Sequence, residues 1–243
     1  MRSLALIVLL LSAGSFAQDT IPPGTILPVQ LNSSLRSSKA QPGQAISARL
    51  MQDVPLGSSK IRAGAKVIGL VIAVQAAGDK GGGQISLRFD AVVTRHRRIP
   101  LVTNLRALAS MMDVSEAQVP ESGPDRGTAE FCWTTDQIGD EYRSAGVLAH
   151  GSTVVGRSVA NGALARPASK PGTSCRGAVD GNDQPQALWV FSSDACGLYD
   201  LPNVLLVHAG RTRPVGEITL AASKGDVNIR AGGGLLLRVN RAE

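Results

Sequence analysis

The chain has 243 residues, with 25 Lys and Arg against 19 Asp and Glu for a formal charge of +6, and 18% charged residues against 43% hydrophobic. That balance can build a core, which excludes global disorder, and it is too poor in charge for long charged helices or coiled coils. The 27 glycines and 13 prolines call for many turns, as in one large all-β domain or two small ones.

Met1-Arg2 is a short positive start, residues 4–11 form an unbroken apolar run, and Ser15-Phe16-Ala17 puts small residues at the two cleavage-determining positions. This is the order of a secretory signal peptide. The run is shorter than the ~20 residues that a helical bilayer span needs. Residues 1–17 are therefore expected to be removed, leaving a mature chain from Gln18 that is secreted or periplasmic in a bacterial envelope. No later segment is apolar for long enough to form a transmembrane helix.

Residues 25–31 and 45–51 alternate apolar and polar side chains, the pattern of half-buried strands. Residues 66–75 are apolar on both faces, as in a central strand, and 85–93 alternate again. The two are expected to form a hairpin around the glycine-rich turn 78–83. A turn at Arg95-His96-Arg97-Arg98 leads into 99–105, and 105–114 fits a short helix or a strand extension. Residues 18–114 make a first β half, and 115–186 read as loop-rich with an insertion. Strand-like runs at 128–134, 153–159, 187–191, 204–208, 217–221, 226–229 and 235–239 follow, so that 187–243 supplies closing strands of a single β domain. The expected architecture is an antiparallel β-barrel or compact β-sandwich with a loop-rich insertion over roughly 160–205.

Two short blocks recur in order: Gly64 to Gly69 matches Gly151 to Gly156, and Gly83 to Leu87 matches Gly216 to Leu220. They read as a repeated pair of strands or as convergent strand patterns. A second phrase, an apolar residue followed three positions later by Gly, occurs at Ile21 to Gly24, Ile61 to Gly64 and Ile229 to Gly232. Glycine there supplies the positive φ of a type II turn before a strand.

Ile21-Pro22-Pro23-Gly24-Thr25, Gln41-Pro42-Gly43-Gln44, Gln52-Asp53-Val54, Ile61 to Gly69 and Ile85 to Phe89 together resemble the TrbI-like β-barrel domain of conjugation and type IV secretion core proteins. Val227 to Gly232 resembles that barrel's closing segment. The resemblance spans residues 21–105 and 226–241, as in uncharacterised secreted bacterial proteins. It implies a barrel fold and a place in an envelope assembly.

Chemical motifs are sparse. No Gly-x-Ser-x-Gly, Ser-x-x-Lys or His-Glu-x-x-His pattern is present. A Cys132 nucleophile with His150 or His208 as base is a candidate arrangement, since such partners meet in space rather than in sequence. The alternative for Cys132 is a buried strand residue. Residues 179–183 (Val-Asp-Gly-Asn-Asp) lack the ligand spacing of a calcium loop, 78–83 lack the ending of a phosphate loop, and no metal or cofactor is expected. The basic turn Arg95, His96, Arg97 and Arg98 is short and without interleaved aromatics, which favours a solvated tip over nucleic-acid binding. A non-enzymatic module with an envelope protein or polysaccharide partner is the leading expectation, and a small secreted hydrolase using Cys132 or a carboxylate pair is the second.

Three cysteines allow one intramolecular bridge. Cys175 and Cys196 lie in turn-like sequence and would close a loop of about 20 residues, worth on the order of 3 kcal/mol. Pairing of Cys132 with either remains open. N-terminal sequencing and non-reducing peptide mapping of exported protein check both expectations. The mature chain is expected to begin at Gln18 and to yield a Cys175 to Cys196 peptide; an uncleaved start or a link through Cys132 defeats the respective assignment.

Overall fold

A computed structural model describes residues 20–79, 81–118, 134–138, 141–144, 148–150, 153–159, 162–165, 186–191 and 195–241. The signal segment 1–17, Cys132 and Cys175 lie outside them. The strands before the helix are β1 (Ile26–Leu31), β2 (Leu35–Arg36), β3 (Ala45–Leu50), β4 (Val54–Leu56), β5 (Ser59–Ile61), β6 (Lys66–Gln75), β7 (Gln84–Val93), β8 (Arg98–Pro100) and β9 (Thr103–Ala109). After α1 (Met111–Gln118) come β10 (Thr134–Gln137), β11 (Glu141–Ser144), β12 (Leu148–His150), β13 (Thr153–Val159), β14 (Gly162–Ala165) and β15 (Gln186–Ala187). The last are β16 (Gly197–Tyr199), β17 (Val204–His208), β18 (Ile218–Ala222), β19 (Asn228–Ile229) and β20 (Gly234–Val239).

Nine strands in the order β16-β9-β20-β1-β3-β6-β7-β18-β17 form a nearly closed barrel, with β8 added on β7. All these pairings are antiparallel except β16 on β9. The two ends of the path meet beside β9, where Leu105 N donates to Ala209 O at 2.8 Å just past β17. Asn104 Nδ2 donates to Asn240 Oδ1 at 2.6 Å, and Asn240 Nδ2 to Gly210 O at 3.1 Å, so side-chain amides close the seam where the ladder is interrupted.

Alternation along the strands places Leu27, Val29 and Leu31 of β1, Leu235, Leu237 and Val239 of β20, and Ile85, Leu87 and Phe89 of β7 in one core. The lumen is filled: the void among Leu31, Leu87, Phe89, Leu105, Leu220 and their neighbours is about 10 Å³. That void is too small for a ligand.

β9 is buried along its whole length because both faces are covered. Leu105 and Leu108 face the barrel, while Ala107 and Ala109 join Ile26, Leu236, α1 residues Val114 and Ala117, and Leu188 to Phe191 in a second core outside it. A register shift between Leu236 and Leu237 leaves Arg106 as the extra residue on β9. Arg106 is buried, and its Nε donates to Ala195 O at 3.0 Å.

Several expectations change. Residues 187–191 are not a barrel strand: only β15 and an isolated bridge at Phe191 belong to a ladder, Trp189 turns with φ 56°, and its ring meets Phe191 edge-on at 6.3 Å. A short apolar run marks burial, and here the burial is in the second core. The loop-rich region is richer in strands than composition suggests, since β10 to β15 form a six-stranded sheet in chain order. Of these only β13 is expected from the sequence as a strand over its full length; the others are two to four residues long, too short for a pattern to stand out. Residues 105–114 are strand to Ala109 and helix from Met111, with Ser110 Oγ accepting the N–H groups of Met112 and Asp113 as the cap.

The matched blocks are not a duplicated hairpin. β13 lies in the six-stranded sheet, whereas Gly83 to Leu87 and Gly216 to Leu220 face one another: Ile218 pairs with Leu87 and Leu220 with Ile85. Ser86 and Thr219 hydroxyls meet between them at 2.8 Å, a buried pair that satisfies both.

Gly69 sits opposite Phe89 at a register shift between β6 and β7, and a Cβ there would lie 1.9 Å from Arg88 O. Gly43 has φ +81° but open space around it. Gly43→Ala is expected to cost about 1 kcal/mol or somewhat more, from backbone strain alone. Gly69→Ala, which forces two backbones apart, is expected to cost more than about 3 kcal/mol. Urea unfolding of the two variants checks this; equal losses would show that the close approach at Gly69 relaxes freely.

Candidate functional site

β2 and β19 form a two-stranded ladder at the margin of the barrel, with Arg36 opposite Asn228 and Leu35 opposite Ile229. Leu35 and Ile229 point into the core, so their neighbours Arg36, Asn228 and Arg230 are left toward solvent. The ladder is tied at both ends. Ser34 Oγ accepts Ala231 N at 2.9 Å, and Ser37 N donates to Val227 O at 3.0 Å.

These segments line a cleft of about 460 Å³ together with Lys39, Ala40, Gln44 and Met111. Its size lies within the ~300–1,000 Å³ of small-molecule sites, although its lining is more polar than most. Arg36, Lys39 and Arg230 supply three cations, and Ser34, Gln44 and Asn228 supply neutral polar groups. Among the described residues no Asp, Glu, His or Cys belongs to the lining, and none of the three cations is in an ion pair.

Asp226 is the carboxylate whose field reaches Arg36. Hydrogen bonds from Ser38 and Ser37, then from Ala77 N, hold it below the usual carboxylate range, with a lesser contribution from Arg36. Ser37 Oγ donates to Asp226 Oδ1 at 2.9 Å and accepts Val227 N at 3.1 Å. The charge of Asp226 is thus engaged by hydroxyls behind the cleft and is only partly available to Arg36.

The residues singled out in the sequence do not converge here. His208 is held in the turn after β17, with Nδ1 at 2.7 Å from Glu217 O and 3.2 Å from Gly210 N, and Nε2 at 3.2 Å from Thr212 Oγ1. His150 lies on β12, in the other sheet. Cys196 is buried beside the second core, and its N–H donates to the Tyr199 hydroxyl at 2.9 Å. Arg95, His96, Arg97 and Arg98 are exposed at the β7–β8 hairpin tip, where Thr94 and Arg97 close the turn. Arg36, Lys39 and Arg230 were not legible as a group, because a two-residue ladder between distant segments unites them.

No family model and no curated protein matches this chain. Among the described residues no helix is long and apolar enough to cross a membrane, and no cluster of His, Cys, Asp or Glu could hold a metal ion.

A carboxylate pair lies at the start of α1. Ser110 Oγ donates to Asp200 Oδ2 at 2.6 Å, and burial, then the charges of Asp200 and Glu116, push the Asp113 carboxyl above its usual range. A carboxyl raised on folding costs stability at pH values above its folded pKa, and this cost vanishes once it is protonated in both states. Asp113→Asn is therefore expected to raise Tm at pH 7 and to lose that advantage as pH falls below about 4. Thermal unfolding between these limits checks the sign; a lower Tm for the variant at pH 7 would mean that the charge–helix-dipole attraction prevails.

Proposed function

We propose that this protein is a non-enzymatic β-barrel module of the bacterial cell envelope, secreted or periplasmic, that holds a protein or polysaccharide partner or forms part of an envelope assembly. The cleft of Arg36, Lys39 and Arg230 carries the reading: among the described residues its lining offers charge and hydrogen bonds, with no Asp, Glu, His or Cys beside them. The filled lumen supports it too, since recognition must then occur on the outside of the barrel. The likeness to TrbI-like barrels belongs to the same proposal. The turns quoted for it at Gly24, Gly43 and Gly64 all have the positive φ that such strand starts require.

The second reading is a small hydrolase, and the pair Asp113 and Asp200 beside Ser110 favours it: burial first, and then the charge of Asp200, raises the Asp113 carboxyl. Incubating the purified chain with envelope fragments and sedimenting them separates the two. The protein is expected in the pellet, with no soluble sugar or peptide released. Product release that Asp113→Asn abolishes would instead establish the hydrolase.

A further inference from the structure

We propose that the cleft binds an anionic sugar, a hydroxyl-rich ring carrying a carboxylate or phosphate. This rests on the reading of the protein as a binding module and names the ligand chemistry of the same site.

Among the described residues three cations face one cleft with no acid in its lining, and none of them forms an ion pair. Like charges gathered this way repel each other, and an anion placed among them relieves that repulsion. Arg36 pairs with Asn228 in the β2–β19 ladder, and Arg230 directly follows the buried Ile229 and its carbonyl accepts Gly233 N at 3.1 Å, so the backbone beneath the guanidinium groups is fixed before a ligand arrives. Pre-organisation of this kind lowers the entropy lost on binding, and planar guanidinium groups suit the paired oxygens of carboxylate or phosphate.

The neutral lining selects the rest of the ligand. Gln44 Oε1 already accepts Gln41 N at 3.1 Å, which leaves the donor Nε2 of the same amide for a ligand oxygen. Asn228 and Ser34 stand beside it, and together these groups match hydroxyls. Among the described residues no aromatic ring lines the cleft, so they offer a neutral sugar or a nucleobase no stacking platform. An acidic peptide would need a long strand edge or apolar pockets, whereas β2 and β19 are two residues each and Met111 is the sole long apolar side chain among the described residues of the lining.

The test is calorimetric titration of the folded chain with a galacturonate trimer, a phosphorylated hexose, maltotriose, an aspartate oligomer and inorganic phosphate. The trimer, the phosphorylated hexose or both are expected to bind, with affinity falling at least about tenfold between ~50 and ~300 mM salt, and maltotriose is not. Arg36→Gln with Arg230→Gln is expected to weaken binding by at least about tenfold while leaving Tm in place, because both side chains are exposed. Lys39→Gln, at another exposed position, repeats the test should the double variant fail to fold. Equal binding of maltotriose, preference for the aspartate oligomer, inorganic phosphate binding as tightly as the sugars, or unaltered affinity in the variants would each overturn the proposal. Failure of every probe overturns the anionic-sugar assignment alone if the chain still sediments with envelope fragments, and both readings if it does not.

Discussion

Four glycines with positive φ fix where the barrel strands begin: Gly24, Gly43, Gly64 and Gly232, at φ 81° to 89°. Each occupies the third position of a turn closed by the residue after it: Thr25 N to Pro22 O, Gln44 N to Gln41 O, Ala65 N to Arg62 O, and Gly233 N to Arg230 O. Each glycine N–H then donates to a residue on a neighbouring strand, respectively Val239, Val71, Leu50 and Leu31, and that residue's N–H returns a bond to the carbonyl just after the glycine. Two residues thus oppose one, the arrangement of a G1 bulge, which needs glycine at its first position and increases local twist. The apolar residue three before the glycine is buried at Ile21, Ile61 and Ile229. One local device therefore sets the start, the register and the inward anchor of several strands, and the basic cleft lies between two of its copies, those at Gly43 and Gly232.

The second core depends on the barrel it covers. Gly234 opens β20, and a Cβ there would stand 2.9 Å from Val114, 3.1 Å from Trp189 and 3.2 Å from Phe191. The absence of a side chain lets α1 and the turn 188–191 settle on the strand. Ala107 and Ala109 keep the same surface low on β9. Small residues thus make a seat for large ones, and Arg106, displaced by the bulge, reaches to Ala195 next to Cys196.

Much of the barrel was legible because alternation and glycine turns are local signals. β1, β3, β6, β7, β17, β18 and β20 lie where apolar residues alternate or run continuously, and the glycines expected to turn with positive φ at 24, 64 and 232 do so. The signal fails where the second core intrudes. Leu188 to Phe191 is apolar like a strand, yet it covers a barrel already formed. It fails again for the likeness of Gly83 to Leu87 with Gly216 to Leu220, which reflects two strands paired to one another. The cleft was least legible of all. Arg36 and Arg230 have no shared pattern in sequence, and it is the β2–β19 pairing that brings them together.

The position of β20 has a kinetic meaning. It lies between β1 and β9, pairing Ile26 with Arg238 on one side and Ala109 with Gly234 on the other. Until residues 234–239 are in place, both neighbours present unpaired N–H and C=O groups, and the barrel core is open along that gap. Contacts of such long sequence separation are slow to form and leave strand edges exposed meanwhile. The barrel cannot zip up progressively from its N-terminal hairpins; it must wait for its last strand to slot between two that were made much earlier, so its folding is governed by how long those edges stay unpaired.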